Sequence, residues 1–589
     1  MASAAGDGLF LLTRTVALGG PHAVLRSDRA TNIVVDGDGN VRVAGIVGSY
    51  DFAGIDSARV TNAGIDQRFV ARVDARSGEV AFVAVVGAAN ADPADTRLDT
   101  LARDGATGLA IDGAGNTYLV AYDASVAYPV TGGAYQPSTG RKHVYRVDGA
   151  GAVTRLPAEL DPAIRRVAAI ALDRDGAILV TGSAIAGLVT SAEAPFPTAS
   201  VAEGCMAPFV LKLDPAGAAV RYATYLGVAG ISGQRCGGEG EDGIHDPTGF
   251  ALHVDAAGNA YVAGQAEPGL AATPGAVDVA PTQPVVHISP AFQSASHAFV
   301  AKLDAAGALL WAARLGGSDH DRGTSVAVDP AGFVYVGGTT ASSALTTVGG
   351  FGAGYPWVSR PCLNATPEVG FVAKLSPDGR AIVLSGYVPS HGSQLDRCVN
   401  GGAFAPLHVM PDVLGDIVVA GVTSIVDRYV AASPAAIEPV PDGRGLLLVI
   451  AADGSGVRYA TTFAGSGAYG AARDRWGNIA TVDRTGIVRI VGPHAAPVAL
   501  EIAPTPACAG RAIELAARVA ASYDDGAVTF AIDGAPVATV RILDGVARTS
   551  IAAATGVRRV TATYAGGGIF DGYASATGYL AVNQAGSCP

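Results

Sequence analysis

The chain has 589 residues, of which 78 are glycine and 16% are charged, and its formal net charge is −12. This acidic balance argues against a nucleic-acid partner, which would need a basic surface. No stretch approaches the roughly 18 uninterrupted apolar residues of a membrane span. The start of the chain, MASAAGDG, has neither a basic segment nor a long apolar one, so no signal peptide is visible.

A short motif, Asp-x-x-Gly between two apolar runs, recurs seven times along the chain. Aspartate can accept bonds from the turn backbone and glycine accepts positive φ, so each motif predicts a tight turn between two strands. The spacing between motifs is irregular, which indicates a constant core with variable segments between its copies. The motifs begin at Asp36, Asp112, Asp173, Asp255, Asp329, Asp412 and Asp474.

Two further strands are predicted after each turn, the first of them resembling FVAKLD at 299–304. Four-stranded units that repeat four to eight times are the blades of a β-propeller, so seven turns predict seven blades. A basic residue recurs in register in the third strand and is expected to pair neighbouring blades. This series comprises Arg72, Arg146, Lys212, Lys302 and Lys374.

The seventh unit has three predicted strands, the last at 486–492, and lacks a fourth. The N-terminal segment 9–20 ends in the same LGG as the fourth strand at 309–317. We therefore expect the N-terminal strand to complete the last blade, which would remove a free sheet edge.

Beyond GPHAAP at 492–497 the turn motif stops and alternating apolar segments continue to the end. About seven short strands in roughly ninety residues match the size of an immunoglobulin-like sandwich. The predicted fold is all-β, with a seven-bladed β-propeller over 1–492, closed by the N-terminal strand, and an Ig-like β-sandwich over 493–589.

The six cysteines fall into three local pairs, two of them within the long connections of the third and fifth units. Such pairs suit disulfides better than a metal cluster, which would show CxxC-like spacing. Disulfides imply an oxidising compartment. We therefore expect a secreted or cell-surface protein in which the signal peptide has been removed and replaced by Met1. The expected pairs are Cys205 with Cys236, Cys362 with Cys398, and Cys508 with Cys588.

Three consecutive segments, VDAAGNAYVAG (254–264), ATPGAV (272–277) and FVAKLDAAG (299–307), resemble the bacterial SBBP-type β-propeller repeat. The C-terminal segments AVTFAIDGAPVATV (527–540) and VRRVTATYAGGGIFDGYAS (557–575) resemble the bacterial Ig-like repeat of surface proteins. Departures are local, since the seventh unit lacks the FVAKLD element. The resemblance implies an extracellular scaffold and brings no catalytic residues.

Residues that recur in every unit are expected to be scaffold, whereas residues in a single unit are candidates for function. The connection at 228–247 concentrates carboxylates in a glycine-rich segment, and the next unit adds two more. Such hard oxygen ligands suit Ca²⁺, the one cofactor considered, and the alternative is a solvated acidic loop. The candidate ligands are Glu239, Glu241, Asp242, Asp246, Asp319 and Asp321.

A second candidate is the aromatic segment GGFGAGYPW at 349–357, which precedes Cys362. Phe351, Tyr355 and Trp357 suit sugar stacking or a protein hot spot, and the alternative is a local mini-core. His253 and His408 precede short turns and are expected to face a central channel. No credible GxSxG, HExxH, P-loop or dinucleotide motif accompanies them.

These patterns favour a secreted, non-catalytic binding protein that recognises an extracellular protein or glycan with its long connections. One alternative is an extracellular lyase or hydrolase with a site at the channel mouth. Another is a structural subunit of an extracellular layer or filament. The long connections between the second and third strands differ in length and content, which is typical of functional loops.

Overall fold

The structure is a computed structural model in which all regular secondary structure of the described residues is β-strand. It describes residues 10–18, 29–37, 39–47, 67–74, 79–86, 108–123, 141–199, 206–227, 248–266, 272–279, 297–317, 321–342, 344–352, 369–391, 407–411, 416–422, 445–463, 467–474, 478–483, 487–493, 498–503, 507–519, 527–542, 546–564 and 574–584.

Seven four-stranded antiparallel sheets, S1 to S7, occupy the described residues up to 493. S1 contains β2 (Arg29–Val35), β3 (Val41–Val47), β4 (Gln67–Val73) and β5 (Val80–Val86). S2 contains β6 (Leu109–Ile111), β7 (Thr117–Asp123), β8 (Arg141–Val147) and β9 (Val153–Leu160). S3 contains β10 (Ile164–Leu172), β11 (Ile178–Ala184), β12 (Ala207–Leu213) and β13 (Val220–Tyr225).

The remaining four of these sheets have the same strand order. S4 contains β14 (Thr248–Val254), β15 (Ala260–Ala266), β16 (His297–Leu303) and β17 (Leu309–Leu315). S5 contains β18 (Asp321–Val328), β19 (Val334–Thr340), β20 (Val369–Leu375) and β21 (Ile382–His391). S6 contains β22 (Leu407–Pro411), β23 (Ile417–Val422), β24 (Gly445–Ile450) and β25 (Val457–Phe463). S7 contains β26 (Gly470–Arg473), β27 (Ile479–Val482), β28 (Ile487–Pro493) and the N-terminal strand β1 (Phe10–Ala17).

S7 combines the start of the chain with residues more than 450 positions later. β1 pairs antiparallel with β28, from Phe10 opposite Pro493 to Ala17 opposite Ile487. The predicted pairing of the N-terminal strand with the strand at 486–491 is therefore confirmed. Leu18, which directly follows β1, is buried in a core shared with S1.

The short turns form because one aspartate satisfies several backbone donors. In S4, the Asp255 Oδ1 atom accepts the amides of Ala257 and Asn259, each at 2.9 Å. Gly258 adopts φ 82°, in the left-handed region that favours glycine. In every described motif, the Oδ1 atom of the aspartate accepts the backbone amide of the residue four positions later. These aspartates are Asp36, Asp112, Asp173, Asp255, Asp329 and Asp474.

Neighbouring sheets meet through their first strands. Contacts follow the chain from S1 to S7, and β26 of S7 contacts β2 of S1. The contacts of the first strands thus form a closed cycle. Apolar side chains fill the space between neighbouring sheets, as where Trp311 of S4 shares a core with Phe371 of S5.

A second recurrent contact joins the fourth strand of one sheet to the last turn of the next. A Cβ atom added to Gly379 in S5 would lie 2.7 Å from the Trp311 ring of S4. The Trp311 indole Nε1 donates to the Pro377 carbonyl oxygen of the same turn, at 3.2 Å. Equivalent close approaches join Phe82 to Gly151, Leu156 to Gly217, Tyr222 to Gly307 and Leu384 to Gly454.

The C-terminal residues form two further sheets around a core of their own. One sheet contains β29 (Val498–Ala503), β31 (Ile513–Val519) and β34 (Val546–Ile551). The other contains β30 (Ala507–Cys508), β36 (Ala574–Asn583), β35 (Gly556–Tyr564), β32 (Ala527–Ile532) and β33 (Ala535–Arg541). Leu515 of the first sheet and Phe530 of the second are buried in one cluster.

Deleting residues 1–18 is expected to destabilise the protein far beyond terminal fraying. The deletion removes β1, exposes the edge of β28 and removes the buried Leu18. We expect the free energy of unfolding to fall by more than about 3 kcal/mol, measured by urea denaturation. Deleting residues 1–8 is the control. Equal stability of the two truncated proteins would contradict the role given to β1.

Replacing Trp311 by alanine tests the contact between neighbouring sheets. Trp311 is buried against the Gly379 turn, so the cavity should cost about 3–5 kcal/mol of unfolding free energy. Its neighbour Leu310 is 50% exposed, and Leu310→Ala should change stability by no more than about 0.5 kcal/mol. If urea denaturation gave the same midpoint for both variants, Trp311 would not couple the sheets.

Candidate functional site

The two ends of the sheets differ in how the chain connects the strands. In S2 to S5, where both are described, tight turns join the first strand to the second and the third to the fourth. In an antiparallel sheet these turns lie at one end, here named the turn face. The other connections lie at the opposite end, here named the connection face. Their described parts include residues 185–199 in S3 and 344–352 in S5.

On the turn face the aspartates are consumed by local bonds. Burial raises the pKa of Asp255, but bonds from Asn259, Tyr261 and backbone amides outweigh it and hold that pKa below its usual value. The Asp255 Oδ2 atom accepts the side-chain amide of Asn259 at 2.8 Å and the Tyr261 hydroxyl at 3.0 Å. Asp112 has the same arrangement with Asn116 and Tyr118. These carboxylates serve the scaffold.

The recurrent basic residues also bond across sheets. The Arg72 guanidinium donates to the Gly149 carbonyl oxygen at 3.3 Å, and the Lys212 ammonium donates to that of Ala305 at 3.1 Å. Lys212 also lies 2.9 Å from the Asp173 carboxylate. The predicted pairing between neighbouring units is confirmed at these two positions.

On the connection face, Asp321 lies buried at the start of β18. Its carboxylate accepts the Gly317 amide at 2.9 Å, the Ser342 hydroxyl at 3.1 Å and the Thr340 hydroxyl. These bonds join the segment between β17 and β18 to the segment that follows β19. Because its oxygens are already engaged, Asp321 acts here as an anchor for the chain rather than as an open ligand.

A second buried polar contact joins S4 to S5 beside this anchor. The Arg322 Nε atom donates to the Gln265 Oε1 atom at 2.6 Å, and both side chains are buried. Arg322 lies at the start of β18 and Gln265 near the end of β15, so the pair sits at the connection face. Sequence reasoning missed it, because neither residue belongs to a motif.

Parts of the long connections cover the outer edges of the fourth strands. In S4, the Thr273 amide donates to the Ala312 carbonyl oxygen at 2.9 Å, and the Arg314 amide donates to that of Val277 at 3.0 Å. In S5, Val348 and Ser385 exchange two such bonds of 2.9 Å. The ATPGAV element at 272–277 is therefore an edge cover, which protects a strand edge from foreign pairing.

Phe351 belongs to the cover of S5 and is 4% exposed. Its ring packs with Leu384 and Leu407, so this side chain follows the mini-core alternative and is not open for stacking. Its amide donates to the Gly454 carbonyl oxygen of S6, at 3.0 Å. Tyr355 and Trp357, the other two aromatic candidates, lie outside the described residues.

Most of the predicted calcium ligands also lie outside the described residues, namely Glu239, Glu241, Asp242, Asp246 and Asp319. The same holds for Cys205, Cys236, Cys362, Cys398 and Cys588. Cys508 is disulfide-bonded, and the predicted pairings stay predictions. Within the described ranges, no group of three or more His, Cys, Asp or Glu side chains is placed to hold a metal ion.

The two histidines singled out in the sequence lie half-buried on the first strands of S4 and S6. The His408 Nε2 atom donates to the Tyr469 carbonyl oxygen of S7, at 3.2 Å. Burial lowers the pKa of His408 to about 4, although this bond raises it. Burial also lowers the pKa of His253, whose ring lies edge-on to Tyr261. Both imidazoles are therefore mainly neutral at pH 7.

A cavity of about 10 Å³, room for about one water, lies between S4 and S5 beside Leu315 and Phe371. No helix with the length and apolar character of a membrane span occurs in the described ranges.

A family profile described as a β-propeller repeat, SBBP, matches residues 310–343. This segment runs from the fourth strand of S4 through the first two strands of S5. Together with the four-stranded sheets, the match supports a β-propeller fold. No curated protein matches the chain.

Three solved structures resemble the chain weakly. The WD40 β-propeller domain of Doa1 has a TM-score of 0.38 at 9% identity, covering 82% of this chain and 97% of that one. A streptogramin B lyase has 0.35 at 8%, covering 82% and 97%. A protein of unknown function from Dyadobacter fermentans DSM 18053 has 0.35 at 10%, covering 82% and 99%. At such scores the likenesses carry no functional argument.

The pKa of His408 predicts a pH dependence of stability. In the folded state the His408 imidazole stays neutral down to a pKa of about 4, whereas in the unfolded chain it is protonated below about pH 6.5. The contribution of His408 is complete above about pH 7 and is lost as the pH falls from 6.5 towards 4, by about 2 kcal/mol. His408→Gln retains a donor for Tyr469 and does not titrate. Urea denaturation at pH 7.5 and 4.5 should therefore show a smaller loss in this variant, and equal losses would contradict the assignment.

Proposed function

We propose that the protein is a secreted or cell-surface binding protein that recognises an extracellular protein or glycan with its connection face. The observation that carries this proposal is the contrast between the two ends of the sheets. The turn face repeats one hydrogen-bonded motif from sheet to sheet. The segments of the connection face differ in length from sheet to sheet, and the face carries the buried polar contacts of Asp321 and Arg322.

The architecture that we propose is a seven-bladed propeller over 1–492, followed by an Ig-like β-sandwich over 493–589. Seven four-stranded sheets with cyclic contacts between their first strands support the blade count. The β1–β28 pairing supports closure by the N-terminal strand. Two sheets around a separate core support the sandwich.

The extracellular location rests on the three proposed disulfides. The bond at Cys508 supports it, because structural disulfides belong to oxidising compartments. β30, which contains Cys508, pairs with the end of β36 at Asn583, five residues before Cys588. This neighbourhood suits the proposed Cys508–Cys588 bridge, and tethered connections would lose less entropy on binding.

Within the proposed surface, Tyr355 and Trp357 are the aromatic candidates. Glu239, Glu241, Asp242, Asp246 and Asp319 are the calcium candidates. Since the carboxylate of Asp321 is engaged by its neighbours, the proposed calcium site relies on the other five. The lyase or hydrolase and the filament subunit stay alternatives, and no observation on the described residues favours either.

The test combines a glycan array with calcium-dependent thermal shift on the full chain. The Tyr355→Ala, Trp357→Ala double variant should lose array signals with an unchanged melting temperature. The Glu239→Gln, Glu241→Gln, Asp242→Asn variant should lose the shift induced by Ca²⁺. Arg174→Ala is the control, because Arg174 is exposed on the turn face. Signals kept by the double variant but lost from Arg174→Ala would overturn the proposal.

A further inference from the structure

The outward surface of the five-stranded C-terminal sheet is defined by the register of its strands. β35 and β36 pair from Gly556 opposite Val582 to Tyr564 opposite Ala574. Val560 and Leu580, on the inward side, are buried in the sandwich core. Because side chains alternate along a strand, the residues next to them face outward.

Three outward pairs of residues follow one another along these two strands. Val557 lies opposite Ala581, Arg559 opposite Tyr579, and Thr561 opposite Thr577. Val557 is 73% exposed and Tyr579 is 71% exposed. Opposite residues lie about 5 Å apart and the row from 557 to 561 spans about 14 Å. We name these six residues the Tyr579 row.

The strands that carry this row and their sheet neighbours are basic. The strands β32, β33, β35 and β36 contain no Asp or Glu, although the chain carries a net charge of −12. Within the described part of the chain, the Arg559 guanidinium makes no hydrogen bond or ion pair. By contrast, the neighbouring Arg558 donates to Asp533 at 3.0 Å and to the Thr555 carbonyl oxygen at 2.9 Å. The Asp533 carboxylate also accepts the Arg559 backbone amide at 2.9 Å, so Asp533 is bonded to Arg558 and to the backbone of Arg559. The exposed Arg559 guanidinium itself stays available to a ligand.

An exposed aromatic ring directly opposite an available guanidinium matches an acidic sugar. The ring offers an apolar face on which a pyranose can stack, while the guanidinium can bind a carboxylate through two parallel bonds. The threonine hydroxyls of the next pair can donate to or accept from sugar hydroxyls. A protein hot spot would instead gather several large side chains in a packed pocket, which this flat row lacks.

We propose that the Tyr579 row binds an anionic polysaccharide, with Tyr579 as the stacking platform and Arg559 as the carboxylate-binding group. The site lies on the C-terminal sandwich and is independent of the connection face. The protein then has a second means of attachment, directed at acidic polymer rather than at the ligand of the connection face.

The experiment measures binding of the full chain to oligogalacturonate and to its methyl-esterified form by calorimetry. Wild type should bind the acid form, and binding should weaken with added salt. Tyr579→Ala and Arg559→Gln should each weaken binding by about tenfold or more. The matched control is Arg548→Gln, an exposed arginine on β34 of the other sheet. Thermal melting of each variant checks that the fold is kept, as expected for exposed positions.

Full-strength binding by Tyr579→Ala or Arg559→Gln would overturn the proposal. So would equal affinity for the esterified polymer, or failure of wild type to bind the acid form. An acidic peptide that competed as well as oligogalacturonate would assign the row to protein recognition and would also overturn it. Loss of binding in Arg548→Gln alone would move the site to the other sheet. The connection-face variants should leave this binding unchanged.

Discussion

The packing of a fourth-strand side chain on the turn glycine of the next sheet is the contact on which the rest of the structure depends. A single four-stranded sheet has two faces to bury, and only its neighbours can cover them. The Trp311–Gly379 approach shows how tightly they do so, since even a methyl group at the glycine would collide with the indole ring. Glycine is needed there for space as well as for its φ of 70°. Among the described residues the same contact recurs at five junctions, from S1–S2 to S5–S6, so each of the sheets S1 to S5 is stabilised by the turn of the next.

The two ends of the sheets differ in how their polar groups are used. At the turn face, carboxylates, amides and hydroxyls bond to each other, and little of their hydrogen-bonding capacity is left for a ligand. At the connection face, the segments between strands differ in length from sheet to sheet, and buried polar groups are bonded there around S4 and S5. Variation can therefore accumulate there without disturbing the contacts that hold the sheets together. This is the physical basis for placing recognition at that end.

Much of this arrangement could be predicted from the sequence, because Asp-x-x-Gly turns and alternating apolar strands are local signals. The pairing of β1 with β28 could also be anticipated, since one strand was missing at one end and one was left over at the other. The edge covers could not, because ATPGAV gives no local indication of which strand edge it will meet. Nor could the burial of Phe351 and Asp321, which depends on side chains from distant parts of the chain. Residue type indicates the aromatic and acidic candidates, but residue type alone does not reveal burial.

The completion of S7 by β1 has a mechanical consequence. β28 leads directly into the C-terminal sheets, and it lies between β27 on one side and β1 on the other. A pull transmitted along β28 would act on two ladders of backbone hydrogen bonds at once, in a direction that shears them together rather than opening them one by one. The chain thus places a strand that is paired on both sides where tension from the C-terminal sheets would enter the ring of contacts. A protein anchored through those sheets would bear load at the seam between its two termini.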